Sequence, residues 1–150
     1  IHKLIKNKKL YLGGTKIPFH SGLQGHSDGD VILHAIIDAL LGAMRKDDIG
    51  TLYPSTKNKF KNIRSPNMLL PILKTLKKEN YFINNIDINL ICEKPKVSKY
   101  RKKIISSLSN LLNVNKNQIN LKGKTVEKLG LIGREKAIAC EVIVSLNNYD

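Results

Sequence analysis

The sequence has no tryptophan, only 3 phenylalanines and 5 tyrosines, and little acid: 12 Asp and Glu stand against 26 Lys and Arg, a formal charge of +14 over 150 residues. So few aromatics leave no stacked aromatic-and-basic platform of the kind that holds nucleic-acid bases, and we expect no nucleic-acid partner despite the charge. The charge still favours small anions, because a positive field concentrates them near the surface. The lysines are spread through KLIKNKKL, KNKFKNIR, LKTLKKEN and KYRKK among many asparagines and isoleucines. Selection for anion binding and AT-rich coding both produce that pattern. No run of about 18 apolar residues exists, so no membrane partner is expected. The first ten residues also lack the apolar core and cleavage site of a secretory signal. Cys92 and Cys140 show neither metal nor redox spacing and read as buried free thiols in a reducing compartment.

With 41% apolar residues and no fixed-period repeat, residues 1–150 read as one compact domain. LYLGGTKIPF, broken at Gly13-Gly14, predicts a hairpin or bent strand. Ser27 with Asp30 forms an [ST]-x-x-[DE] signature, which predicts a helix from about Asp28 to Met44. GTLYPSTKNKFKNIR is aperiodic and reads as a mobile loop. A second helix is expected from Ser65-Pro66 to about Lys78, kinked by Pro71 or starting after it. YFINNIDINLIC predicts a strand, SKYRKKIISSLSNLL an amphipathic helix, and QINLKG and KAIACEVIVSL two further strands. The mixed order favours α+β, a mixed sheet with helices packed on one face.

The segment GHSDGDVILHAIIDALLGA, residues 25–43, concentrates titratable groups at the head of an apolar helix. Asp30, His34 and Asp38 recur every fourth residue and share one face, while isoleucine, leucine and valine fill the rest. Buried carboxylates and imidazoles need partners, so that stripe must meet a metal, a ligand or a hydrogen-bond network. His26 and Ser27 precede the helix where free backbone N–H groups attract phosphate, or they are an ordinary cap and an exposed histidine. Downstream, KGKTVEKLG brings Lys122, Lys124 and Thr125 close to Glu127. Lysines and a hydroxyl suit phosphate and a carboxylate suits magnesium, although a solvated turn would look the same.

Together LGGTKIPF, GLQGHSDGDVILHAIIDALLGA, DIGTLYP, EKPK, KTVEKLGLIGR and AIACE resemble, in order and over essentially the whole chain, the 2-C-methyl-D-erythritol 2,4-cyclodiphosphate synthases of the non-mevalonate isoprenoid pathway. The resemblance implies a trimer-forming α+β domain. It also implies a lyase that closes a cyclic diphosphate from a cytidine-diphosphate sugar alcohol and releases CMP. Two metal ions would serve it: Zn²⁺ or another divalent metal on His2 and His34, and Mg²⁺ or Mn²⁺ on Glu127. The family's Asp-x-His motif matches at His2, so its aspartate, with the N-terminal strand that carries it, would lie before Ile1. His26, Lys124 and Thr125 would be catalytic. Substrate would be held by His26 and Ser27 at a phosphate, and by Asp48 and Gly50 at the sugar-alcohol hydroxyls. Cys92, Lys96 and Val97 would hold the cytidine, with Gly123, Lys124, Thr125 and Arg134 completing the set. Arg134 and Glu141 would face the three-fold axis of a homotrimer. After Tyr53-Pro54 the family commonly has an aspartate; this chain has Ser55, which carries no charge. A plastid-type organelle in a eukaryote with an AT-rich genome, or a bacterial cytoplasm, would house such an enzyme. A zinc-dependent phosphohydrolase with similar ligands is the rival, and it differs in giving a linear product.

Overall fold

Alternation in YFINNIDINLI places Ile83, Ile86, Ile88 and Leu90 on one buried side of a strand. In the computed structural model, which describes residues 1–148, this strand lies one place in from the edge of a mixed sheet. The strands are β1 (His2–Lys6), β2 (Leu10–Leu12), β3 (Thr15–Ile17), β4 (Ser21–Leu23), β5 (Tyr81–Ile91), β6 (Ile119–Lys124) and β7 (Ala137–Asn148). The helices are α1 (Val31–Ala43), α2 (Ile49–Leu52), α3 (Ser65–Lys78), α4 (Val97–Leu112) and α5 (Gly130–Gly133). The five-stranded sheet runs β4-β1-β7-β5-β6, and β2 and β3 form a separate hairpin. β5 and β6 are parallel and joined through α4, whereas β5 and β7 are antiparallel, with a bulge between Ile83 and Asn85. No described helix is long and apolar enough to cross a membrane.

The three long helices cover one face of the sheet, as the sequence suggests. Ile36, Ile37 and Leu40 of α1, Leu69 and Ile72 of α3, and Ile104 and Leu108 of α4 join Ile86, Ile88, Leu121 and Ile138 in one core. No described helix covers the opposite face, which carries Glu141 and Ile143 of β7 beside Asp87 and Asn89 of β5. Ile143 there is 75% exposed.

The elements depart from expectation in five places. A strand stands at His2–Lys6, paired with β4 and β7, where the N-terminal strand was expected to precede Ile1. α1 begins at Val31 rather than near Asp28. Its N-cap is Asp30, which accepts from the Leu33 N–H, because the Ser27 and Asp28 side chains are engaged elsewhere. The polar stripe divides accordingly: Asp30 is fully buried, while exposed Asp38 accepts from the Ile49 N–H. The segment after Gly50 is not featureless, since Asp48 caps α2 and a 3-10 turn spans Asn58–Phe60. Finally, α3 runs unbroken from Ser65 through Pro71.

Asp30 joins the hairpin to the helix. Gly13 and Gly14 form the β2–β3 turn with φ of 61° and 77°, the left-handed region that glycine enters without penalty. Their N–H groups donate to the two carboxylate oxygens of Asp30 at 2.9 and 2.7 Å. Ser107 of α4 donates to the Gly13 carbonyl at 2.7 Å, tying a third element to the same turn.

Removing this carboxylate strands three backbone donors. Asp30→Ala should lower stability by about 2–4 kcal/mol, read as a shift in denaturant midpoint. Burial raises the Asp30 pKa from 3.8 to about 6, so the native state takes up a proton more readily than the unfolded chain. The contribution of this ionisation is therefore largest below pH 4, falls as pH rises to about 6, and is constant above. That slope should disappear in Asp30→Asn.

Candidate functional site

Most of the predicted residues line two clefts at one end of the sheet, where β7 starts between β1 and β5. His2 pairs with Ile138 on one side, and Ile91, one residue before Cys92, pairs with Ala139 on the other.

The first cleft, about 160 Å³, is lined by His2, His26, Ser27, His34 and Gly50, with Tyr53, Phe60 and Met68 among its apolar walls. β1 delivers His2 and the first turns of α1 deliver His34. Their rings meet edge to face, with His2 Nε2 and His34 Nδ1 2.9 Å apart. On its other side His34 Nε2 lies 3.0 Å from both Ser27 Oγ and Ser65 Oγ. Desolvation by burial lowers both histidine pKa values, that of His34 to about 4. The pair is therefore neutral at physiological pH and suited to ligation.

The two imidazoles have the chemistry of divalent-cation ligands. His34 uses Nε2 towards the serines. Its Nδ1 faces His2, as the free nitrogen of a metal-ligating imidazole held from behind does. His2 and His34 alone do not complete a coordination shell, and no group of three His, Cys, Asp or Glu able to hold a metal occurs among the described residues.

His26 is half-buried and its Nε2 lies 3.4 Å from the Lys57 carbonyl. Beside His26 and Ser27 the Asp30 carboxylate caps the α1 N-terminus by accepting from the Leu33 N–H. The two residues offer side chains. Ser27 Oγ accepts from the Gly29 N–H at 3.2 Å and lies against His34, which leaves its own proton free to donate. Asp48 caps α2 through the Thr51 N–H at 2.8 Å, and that hydrogen bond lowers its pKa. The walls come from the segment read as a mobile loop: Tyr53 donates to the Met68 carbonyl at 2.9 Å and meets Phe60 edge to face.

The second cleft, about 280 Å³, lies at the ends of β5 and β6 and the start of α4, with Cys92, Lys96, Val97, Gly123, Lys124 and Thr125 in its wall. A Cβ on Gly123 would stand 2.7 Å from the Val97 side chain, so only glycine lets β6 lie this close to α4. Cys92 is buried and free, and burial pushes its thiol up to about 11. Cys140, also free, is pushed up to about 12, so both thiols are inert as nucleophiles. Glu127 is exposed on the turn after β6 at φ 51° and lines neither cleft. Arg134 is exposed just after α5 and lines neither.

Sequence reasoning missed the supporting residues. Glu93 Oε1 accepts from the Val126 and Lys128 N–H groups at 3.0 and 3.2 Å and so shapes the turn that carries Glu127. Asp28, Arg64 and Ser65 back His34. The quoted EKPK and HSDGD motifs contain Glu93 and Asp28, but nothing in their spacing marks these two as supports.

The profile of the YgbB family matches residues 1–147. The chain belongs to that family. It is 55% identical over 150 residues to a protein of Pelagibacter ubique named as the bifunctional enzyme IspD/IspF, of which it spans 40%. It is 47% identical over 146 residues to a 2-C-methyl-D-erythritol 2,4-cyclodiphosphate synthase of Clostridium botulinum, covering 97% of this chain and 93% of that one. An IspF of Plasmodium falciparum, solved as a CDP complex, superimposes with a TM-score of 0.87 at 43% identity over 99% of this chain and 92% of its own.

Because the folded His34 pKa lies below its unfolded value of 6.5, the native state binds fewer protons than the unfolded chain between about pH 6.5 and 4. Stability should fall as pH drops through that window, with a slope for this group approaching about 1.4 kcal/mol per pH unit. The difference between wild type and His34→Gln in denaturation at several pH values isolates it. A flat difference would contradict a buried neutral imidazole.

Proposed function

We propose that the chain converts 4-diphosphocytidyl-2-C-methyl-D-erythritol 2-phosphate to 2-C-methyl-D-erythritol 2,4-cyclodiphosphate and CMP, in non-mevalonate isoprenoid biosynthesis. The observation that carries this reading is the placement of a neutral His2–His34 pair and a lysine- and threonine-walled cleft at one end of the sheet, in a chain whose relatives bear that name. An oxygen of the 2-phosphate attacks the β-phosphorus, the bond to the bridging oxygen of the α-phosphate breaks, and its electrons leave with CMP. No protein nucleophile is needed, in keeping with two inert cysteines. The protein must instead align the reacting phosphates and neutralise charge.

His2 and His34 would hold one divalent ion and Glu127 the other. Such ions, when bound, supply charge neutralisation at the phosphates. His26 and the free Ser27 proton would orient the 2-phosphate. Asp48 and Gly50 would meet the sugar-alcohol hydroxyls. Gly123, Lys124 and Thr125 would hold the diphosphate, and Cys92, Lys96 and Val97 the cytidine. The Plasmodium relative's CDP complex supports a nucleotide in the second cleft. We read the functional unit as a homotrimer closed through the helix-free sheet face, whose exposed Ile143 favours cover, with Arg134 and Glu141 facing the axis. The bacterial relatives support a bacterial cytoplasm as its location.

Glu127→Gln should lower turnover by at least 100-fold while changing CDP affinity by less than about fivefold, because charge develops on the leaving phosphate mainly in the transition state. Phosphorus NMR of the wild-type reaction should show two coupled phosphates in a ring and one equivalent of CMP. A linear phosphomonoester would instead identify the hydrolase.

A further inference from the structure

The residues behind His34 form a polarised relay whose direction can be read from its donors. Asp28 is 8% exposed and Ser65 is fully buried. One Asp28 oxygen, Oδ2, accepts from Arg64 Nε at 2.8 Å and from the Ser65 N–H at 3.1 Å. The other, Oδ1, accepts from the Asp30 N–H at 3.2 Å and from the Ser65 hydroxyl. A carboxylate has no proton to give, so the Ser65 hydroxyl must point its single proton at Asp28. Its oxygen can then only accept from His34, at 3.0 Å. That places the imidazole proton on Nε2 and leaves the lone pair on Nδ1, which accepts from His2 Nε2 at 2.9 Å. Arg64, which also lies 4.0 Å over the Tyr11 ring, holds the carboxylate in this orientation.

We infer that Asp28, acting through Ser65, is a positioning residue that fixes the His34 tautomer and keeps Nδ1 an acceptor that faces His2 and the first cleft. This deepens the proposed cation site and rests on that reading only for its consequence in metal binding; the tautomer belongs to the metal-free protein. The relay also predicts its own reversal. In Asp28→Asn the amide nitrogen would meet two fixed donors at the Oδ2 position, Arg64 Nε and the Ser65 N–H, but only one, the Asp30 N–H, at the Oδ1 position, so it takes the Oδ1 position beside the Ser65 hydroxyl. The amide then donates to Ser65 Oγ, the hydroxyl proton turns to His34 Nε2, and the imidazole proton moves to Nδ1. The nitrogen that faces the cleft is closed, and the Asp30 N–H contact is the one hydrogen bond given up.

The test is nitrogen-15 NMR of the histidine rings in the intact metal-free protein at neutral pH, paired with zinc affinity measured by chelator competition. Wild type should show His34 protonated at Nε2 and bare at Nδ1, and Asp28→Asn the reverse, with zinc bound 10–100-fold more weakly. Ser65→Ala should leave the ring populating both tautomers, and Ser65→Thr, which keeps the hydroxyl, should restore the Nε2 proton. The Ser65 pair decides the matter if Asp28→Asn does not fold. A folded Asp28→Asn protein that keeps the proton on Nε2, or a Ser65→Ala protein with an unchanged single tautomer, would overturn the inference. A wild type with the expected tautomer and reversal but no zinc affinity would instead remove the metal reading and leave the relay standing.

Discussion

The carboxylate of Asp30 is the constraint on which the cleft end of the molecule depends. It is fully buried, caps α1, and takes the N–H groups of Gly13 and Gly14. An unpaired carboxylate in that position would be prohibitively costly, so the hairpin and helix must dock in one relative position to satisfy it. Since α1 carries His34 and the residues just before the cap carry His26, Ser27 and Asp28, the same docking sets where the candidate site begins. Packing of Ile36, Ile37 and Leu40 supplies most of the burial, but apolar contacts tolerate sliding that a carboxylate with three fixed donors does not.

Acids and imidazoles that the sequence crowds together are thus separated by depth. Asp30 serves the fold, Asp28 serves the side of His34 away from the cleft, and His2 and His34 meet at the opening. Burial drives the pKa of Asp30 up and those of the two histidines down, so each is pushed towards its neutral form by the same low-polarity surroundings. For the histidines, neutrality is the ligating state. For Asp30 three backbone donors offset part of the same pressure, which is why the carboxylate can remain where it is.

Much of this was legible in the chain. The β5 alternation, the Gly13-Gly14 turn and the amphipathic α4 follow from local pattern, and the mixed strand order pointed to an α+β sheet covered on one face. β1 escaped notice because His2–Lys6 is half polar and buries little, so its alternation is faint. The α1 start was misplaced because a capping signature identifies residues able to cap, whereas competing tertiary partners decide which one does. Ser27 and Asp28 were recruited by His34, Arg64 and Ser65, and only Asp30 remained. The segment between Gly50 and Arg64 has no period, yet it is ordered by single contacts, Tyr53 with Met68 and Phe60 with Tyr53, that no periodicity reports. Supports such as Glu93 and Ser65 act across 33 and 31 residues of sequence, a separation at which spacing carries no information.

The distribution of the positive charge separates structural cations from available ones better than its total does. Lys46, Arg64, Lys94 and Lys122 are each ion-paired within the fold, to Glu79, Asp28, Glu135 and Asp87. Such pairs on a surface add little stability, and only Arg64, whose partner is buried, holds a site residue in place. Lys96 and Lys124 line the second cleft without an ion pair of their own among the described residues. A coding bias scatters lysines but does not choose which ones acids neutralise. Lys94 and Lys122, each two positions away, are neutralised by acids, whereas the two lysines in the cleft wall keep their charge available to an anion.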